Sequence, residues 1–243
     1  MAVPDYFDFA HTNVWGIYGH LGGGKTLTAV EIMVEALRLG YSVTSNVALR
    51  SIDSLPGKYS LLEDFHGVDF WSLPVGAPRG SDSPFRSIIC IDEAAEFLDQ
   101  YSSSSPVTKS FLSWLRHSSK RGQHVLLIVQ RPEFLVKSAR LLVNRWIMCD
   151  DLAQWRSPII KMPIPFCSGY VRRVSYDRMG NQVSTGMALA SKRAIGQYYD
   201  TAQSIATAGR QSVALDYTPP RDRLDPYLVI IVLTWFGLML WLR

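Results

Sequence analysis

The sequence predicts an α/β fold in which a mostly parallel β-sheet carries helices on both faces. Several short segments are apolar along their whole length, as strands covered on both faces are. These segments alternate with others whose apolar residues recur at helical spacing. A glycine-rich loop joins the first such strand to the first such helix. Together these features indicate a P-loop NTPase fold of the RecA-like kind.

Length and composition fit one such domain followed by a tail. The chain has 243 residues, 47% of them hydrophobic, which excludes disorder throughout. The net charge of +4 permits a nucleic-acid or membrane partner without identifying one. We expect a P-loop ATPase domain over residues 1–201, a linker over 202–225 and a transmembrane helix over 226–242.

The first half of the domain begins with a buried strand at 13–18. Residues 26–39 have apolar side chains at helical spacing, and Gly40 ends this helix. A second strand is expected at 42–47. Residues 50–86 are rich in proline and glycine, so we expect mostly loop there, with room for a short helix at 61–65.

The second half continues with a buried strand at 87–91 and a helix at 107–119. Apolar strands follow at 124–129 and 145–149. Beyond Asp150, residues 169–177 and 182–190 alternate between apolar and polar side chains. With a turn at Gly180-Asn181 between them, they predict a β-hairpin.

The glycine-rich loop carries the most specific motif in the sequence, GHLGGGKT at 19–26, which fits G-x-x-x-x-G-K-[ST]. Glycines allow successive backbone N–H groups to converge on phosphates, and the following helix adds the positive end of its dipole. Lys25 is expected to neutralise the β- and γ-phosphates of ATP, and Thr26 to bind Mg²⁺ through its hydroxyl. The predicted nucleotide-binding residues are Gly19, His20, Leu21, Gly22, Gly23, Gly24, Lys25 and Thr26.

A second motif follows the strand at 87–91, which ends in Asp92-Glu93. Asp92 is expected to lie beside Thr26 and hold Mg²⁺, while Glu93 polarises the attacking water as a general base. The adjacent glutamate favours a hydrolase over a kinase. Gln130 ends the next apolar strand, where it could orient the water or report the nucleotide state.

Residues 107–145 are strongly basic, with eight lysines and arginines against the single acid Glu133. This segment could supply an arginine finger to a neighbouring subunit's nucleotide, or it could line a DNA channel. Arg116 and Arg121 are our first choices for the finger, followed by Arg140.

The C-terminal segment 227–242 contains no charged residue. As a helix it is about 24 Å long, close to the thickness of a bilayer core. Arg221 and Arg223 precede it, which keeps the ATPase domain cytoplasmic by the positive-inside rule. We therefore expect a single-pass membrane anchor rather than a buried core helix.

Taken together, these motifs resemble the Zot-like family, the filamentous-phage assembly ATPases related to the gene I protein, within the FtsK/HerA-like P-loop branch. The resemblance rests on GHLGGGKT at 19–26, IICIDEAAEF at 88–97, LRHSSKRGQHVLLIVQ at 115–130, ARLLVNRW at 139–146 and QYYDT at 197–201.

The resemblance implies a cytoplasmic ATPase at the host inner membrane that uses ATP and Mg²⁺. Its implied partners are phage coat and assembly proteins, single-stranded DNA and further copies of the chain in a hexameric ring. Two alternatives remain open: a genome-packaging ATPase of an icosahedral phage with an internal membrane, and a nucleotide-gated scaffold that recruits coat proteins without acting as a motor.

Overall fold

In the computed structural model, the described residues are organised around one eight-stranded sheet. The structure describes residues 12–62, 64–65, 67–78, 86–96, 98–99, 105–152, 170–183 and 188–199. These belong to one of the two compact units into which the chain divides, residues 1–208. The strands are β1 (Val14–Tyr18), β2 (Ser42–Ser45), β3 (Lys58–Leu61), β4 (Ser87–Ile91), β5 (Gln123–Val129), β6 (Arg145–Asp151), β7 (Tyr170–Asp177) and β8 (Ala188–Ser191). The α-helices among the described residues are α1 (Lys25–Arg38), α2 (Pro106–His117), α3 (Lys137–Arg140) and α4 (Lys192–Gly196).

The strand order is β3-β2-β4-β5-β1-β6-β7-β8. The first six strands in this order are parallel, and β7 and β8 extend the sheet in antiparallel fashion from β6. This arrangement confirms the predicted, mostly parallel α/β sheet. It also places β5 between β1 and β4. Because these three strands are parallel, their C-terminal ends lie side by side.

Apolar side chains of the central strands alternate between two cores. On one face, Ile88 and Leu126 pack with α1, whose Val30 and Met33 are buried. On the other face, strand residues such as Ile89 and Leu127 pack with α2. Helices therefore cover both faces, which explains why the central strands are apolar along their whole length.

The segment 50–86 departs from the prediction in one place. Residues 58–61 form β3, which pairs with β2, so the loop expected there is wrong, and the described residues of 61–65 contain no helix. The other described residues of 50–86 are loop apart from a 3₁₀ turn at Phe70–Ser72, as predicted. Strand β3 lies at the edge of the sheet, and three of its four residues are exposed. A continuous apolar run is expected only in strands buried on both faces. The exposed strand β3 has no such run, so the sequence does not predict it.

The predicted hairpin is present as the antiparallel pair β7 and β8, although β8 begins later than expected. Gly180 in the turn has φ +86°, and the Asp177 carboxylate accepts hydrogen bonds from the N–H groups of Met179 and Asn181. The hairpin is not a separate unit, because β7 pairs with β6 along seven residues.

The predicted linker over 202–225 and transmembrane helix over 226–242 lie outside the described residues. Within the part of the chain that the structure describes, no helix combines the length and apolarity needed to cross a bilayer.

Candidate functional site

The predicted phosphate-binding loop lies at the edge of the sheet where β1, β4 and β5 end. Residues 19–24 connect β1 to α1, and Gly24 forms the N-terminal boundary of α1 with φ +85°. The Gly23 N–H donates to the His20 carbonyl oxygen at 2.9 Å, which closes the loop into a turn. The side chains of His20 and Leu21 are exposed at its tip. Backbone amides in such a turn, at the start of a 14-residue helix, form an anion-binding site.

Two glycines of the loop are required by close contacts. A Cβ atom on Gly19 would lie 2.2 Å from the Cys149 carbonyl oxygen, and one on Gly24 would lie 2.4 Å from Cγ2 of Val171. The loop is thus packed against the backbone of β6 and the side chains of β7. Any larger residue at either position would displace the loop from the sheet.

Lys25 is the first residue of α1 and is only 7% exposed. Its Nζ donates to the His20 carbonyl oxygen at 3.0 Å, so the ammonium group lies over the loop itself. From this position the Lys25 ammonium group could exchange the His20 carbonyl oxygen for a phosphate oxygen with little movement of its side chain.

Thr26 and Asp92 are in direct contact, as the motifs predict. The Thr26 hydroxyl donates to Oδ2 of Asp92 at 2.8 Å, across 66 residues of sequence. Burial raises the pKa of Asp92, while the hydrogen bond from Thr26 and the charge of Lys25 act in the opposite direction. A hydroxyl and a carboxylate are hard oxygen ligands of the kind that Mg²⁺ prefers, so this pair fits the predicted metal site.

Glu93 and Gln130 also meet at this edge. Their side chains are hydrogen-bonded, and the Gly19 N–H donates to the Gln130 carbonyl oxygen at 3.4 Å. Burial, followed by the charge of Asp92, raises the pKa of Glu93. A carboxylate with a raised pKa is a stronger proton acceptor, which suits the expected general base.

The backbone at Glu93 is unusual, with φ +52° in the left-handed region. Non-glycine residues there store strain of about 1–3 kcal/mol, and such residues occur often at functional sites. The Asp92 carboxylate accepts a hydrogen bond from the Glu93 N–H at 2.9 Å, which holds this conformation.

Two residues at the site have no counterpart in the sequence motifs. Asn46 follows β2 and makes two hydrogen bonds to the backbone of Asp92. Arg173 on β7 is 1% exposed; its guanidinium donates to the Thr28 hydroxyl at 3.0 Å and also contacts the Glu31 carboxylate. Arg173 therefore ties the first turns of α1 to β7.

The predicted finger arginines lie away from this edge. Arg116 is exposed in the last turn of α2, and Arg121 precedes β5. Both therefore lie near the N-terminal end of β5, whereas the loop lies at the C-terminal ends of the parallel strands. Arg121 donates to the carbonyl oxygens of Trp71 and Leu73 and lies over the Trp71 ring. Arg140 is half-buried on α3. The positions of these arginines in a single chain do not test whether one of them reaches a neighbouring subunit's nucleotide, so the arginine finger stays a prediction. Arg116 is the most exposed of the three candidates.

The Asp92 carboxyl should destabilise the metal-free protein at neutral pH. Its raised pKa means that its ionised form is disfavoured in the fold, so stability falls as pH rises through that pKa. In EDTA at pH 7.5 we expect Asp92→Asn to unfold about 2–4 °C above wild type, which corresponds to about 1 kcal/mol. The difference should shrink on acidification, because the wild-type carboxyl becomes neutral.

Thermal unfolding with EDTA and with MgADP measures both halves of this prediction. The wild type should gain more stability from MgADP than from ADP alone, and Asp92→Asn should lose that extra gain. An Asp92→Asn variant that is less stable than wild type in EDTA would show that the Asp92 charge does not destabilise the fold. A variant that keeps the full magnesium-dependent gain would show that Asp92 is not a metal ligand.

Comparison with known proteins gives relatives among filamentous phages. The chain is 26% identical over 225 residues to the gene 1 protein of Escherichia phage If1, covering 85% of this chain and 63% of that protein. It is 24% identical over 237 residues to the gene 1 protein of Salmonella phage IKe, covering 88% and 61%. The chain thus spans less than two thirds of the length of these relatives. No model of a protein family matches the chain.

Solved structures similar to this chain include the N-terminal domain of zonular occludens toxin from Neisseria meningitidis. That domain is 16% identical, covers 78% of this chain and 99% of its own length, and has a TM-score of 0.48. The genome packaging NTPase B204 of Sulfolobus turreted icosahedral virus 2, in complex with AMPPCP, is 14% identical with a TM-score of 0.43, covering 76% and 99%.

Proposed function

Because the chain is a homologue of the filamentous-phage gene 1 proteins, we propose that it is an ATPase that drives phage assembly at the host inner membrane. One observation supports the enzymatic part above all. The Thr26 hydroxyl, which follows the phosphate-binding loop, contacts the Asp92 carboxylate, and the Glu93–Gln130 pair lies beside them. This combination of groups suits hydrolysis of a nucleoside triphosphate.

The residues divide into binding and reacting groups. Backbone amides of residues 19–24 and the Lys25 ammonium bind the phosphates and stabilise the negative charge that develops on them. Thr26 and Asp92 would hold Mg²⁺, which supplies further positive charge beside the phosphates. Glu93 accepts the proton of the attacking water, and Gln130 orients the Glu93 carboxylate through their hydrogen bond.

Further copies of the chain complete the proposed motor. In a ring, the exposed Arg116 of one subunit would act as the arginine finger that reaches the nucleotide of the next subunit. The free energy of hydrolysis is used to move coat protein, single-stranded DNA or both into the growing virion. The basic segment 107–145, with its excess of lysine and arginine, supports contact with phosphates in either role.

The enzymatic part is tested by phosphate release from MgATP by the purified chain. Release that depends on Mg²⁺ supports the proposal. The enzymatic part would be contradicted if the chain bound nucleotide but released no phosphate at protein concentrations high enough for a ring to form. The chain would then be a nucleotide-binding protein without ATPase activity.

The membrane part rests on the apolar segment at 226–242, and it gives a separate prediction. In host cells most of the full chain should stay in the membrane fraction after carbonate extraction, because an apolar helix of this length is anchored in lipid. A chain that lacks residues 226–243 should move to the soluble fraction. Equal membrane retention of both chains would contradict the anchor, and cleavage of Arg221 or Arg223 by externally added protease would contradict its orientation.

A further inference from the structure

Asn46 holds the peptide groups on both sides of Asp92. It is the first residue after β2, and its side-chain amide makes a reciprocal pair of hydrogen bonds. The Asp92 N–H donates to Oδ1 of Asn46 at 2.8 Å, and Nδ2 of Asn46 donates to the Asp92 carbonyl oxygen at 3.0 Å. One side chain thus satisfies the donor and the acceptor of a single residue.

The position of this pair in the sheet explains its effect. The β2–β4 ladder ends where Ser45 pairs with Cys90, so Asp92 lies beyond the last backbone pairing of the two strands. Asn46 therefore continues the pairing of β2 with β4 by one step, using side-chain atoms in place of backbone atoms. Without it, the Asp92 backbone would lose its fixed attachment to β2.

The residue that depends most on this attachment is Glu93. Its φ of +52° is unfavourable for a residue with a Cβ atom, so the chain adopts it only where neighbouring contacts impose it. Two such contacts lie on Asp92: the amide pair with Asn46, and the Asp92 carboxylate that accepts from the Glu93 N–H. The direction of the Glu93 side chain follows from both.

We propose that Asn46 is a positioning residue for hydrolysis, which clamps the Asp92 backbone so that the Glu93 carboxylate stays beside Gln130. This inference rests on the proposed ATPase function. Among the described residues, both hydrogen bonds of the Asn46 side chain go to the Asp92 backbone and neither goes to residues 19–25. Its loss should therefore slow the chemical step and leave nucleotide binding largely intact.

The test compares Asn46→Ala and Asn46→Asp with the wild-type full chain. Asparagine and aspartate have nearly the same shape, but aspartate replaces the Nδ2 donor by an oxygen that faces the Asp92 carbonyl. A clamp predicts that both variants lose kcat, by about a hundredfold for a misplacement on the order of 1 Å, with KM for ATP and affinity for ADP close to wild type. A role in filling space predicts that only Asn46→Ala is impaired.

Thr44→Val is the matched control on the same strand. Thr44 is buried, and its hydroxyl makes no hydrogen bond within the part of the chain that the structure describes. This isosteric change should leave kcat at the wild-type value. Because Asn46→Asp preserves volume, it carries the test even where Asn46→Ala does not fold.

Three results would overturn the clamp. These are wild-type kcat in both Asn46 variants, wild-type kcat in Asn46→Asp alone, and a rise in KM with kcat unchanged. Absence of hydrolysis by the wild-type chain is a different result, because it would overturn the proposed function and this inference together.

Discussion

Replacement of Lys25 by alanine is expected to lower Mg²⁺-dependent ATP hydrolysis by about 10²–10³-fold, the loss seen when one stabilising donor is removed from a reacting site. Lys25 is buried, and its ammonium group lies directly on the predicted phosphate-binding loop. Its removal takes a positive charge away from the site where negative charge develops. Affinity for ATP should fall as well, because the same charge neutralises the bound phosphates. Phosphate release and the binding of a fluorescent ATP analogue measure the two effects.

Lys58→Ala provides the control for this change. Lys58 is exposed on β3, at the far edge of the sheet from the loop, and the same substitution there removes a lysine charge without touching the site. It should hydrolyse ATP at the wild-type rate. Normal hydrolysis by Lys25→Ala would exclude residues 19–26 as the phosphate site, and equal losses in both variants would indicate a general effect of charge.

Glu93→Gln is expected to separate binding from hydrolysis. Glutamine keeps the size and polarity of glutamate but cannot accept the proton of the attacking water, so kcat should fall by about 10²–10⁴-fold. Affinity for MgATP should be retained or rise, because a negative charge leaves the site. Phosphate release in a single turnover, with MgATP affinity measured in parallel, checks both statements.

Glu96→Gln is the matched control, because Glu96 lies one turn away and is exposed. The charge of Glu96 raises the pKa of Glu93. Its removal should therefore keep the maximal rate and move the acidic limb of the pH–rate profile to lower pH, since Glu93 then loses its proton more easily. Similar losses of kcat in the two variants would deny Glu93 a specific role as the base.

The parts of the site that lie within contiguous motifs could be predicted from the sequence. Residues 19–26 carry their own context, since a strand precedes them and a helix follows. Asp92 and Gln130 each end a buried strand, and parallel strands bring such ends together. Once β1, β4 and β5 are neighbours, Asp92 lies beside Thr26 and Gln130 lies beside Glu93.

Asn46 and Arg173 could not be predicted in this way. Asn46 follows a strand of four residues, and a lone asparagine after a strand is more often a turn residue. Arg173 belongs to a hairpin whose alternating pattern does not show that β7 pairs with β6 and turns an arginine toward α1. The edge strand β3 and the helix α3 have four residues each, which is too short to show a strand or helix period in the sequence.

Complementation measures whether hydrolysis at this site drives virion assembly. Host cells carrying the encoding phage genome without this gene are supplied with the wild-type chain, Glu93→Gln or Glu96→Gln at equal levels in the membrane fraction, and released virions are counted. We predict release with the wild type and Glu96→Gln, and none with Glu93→Gln. Release at the wild-type level with Glu93→Gln, in a chain shown to bind MgATP without hydrolysing it, would contradict the motor and favour a nucleotide-gated scaffold.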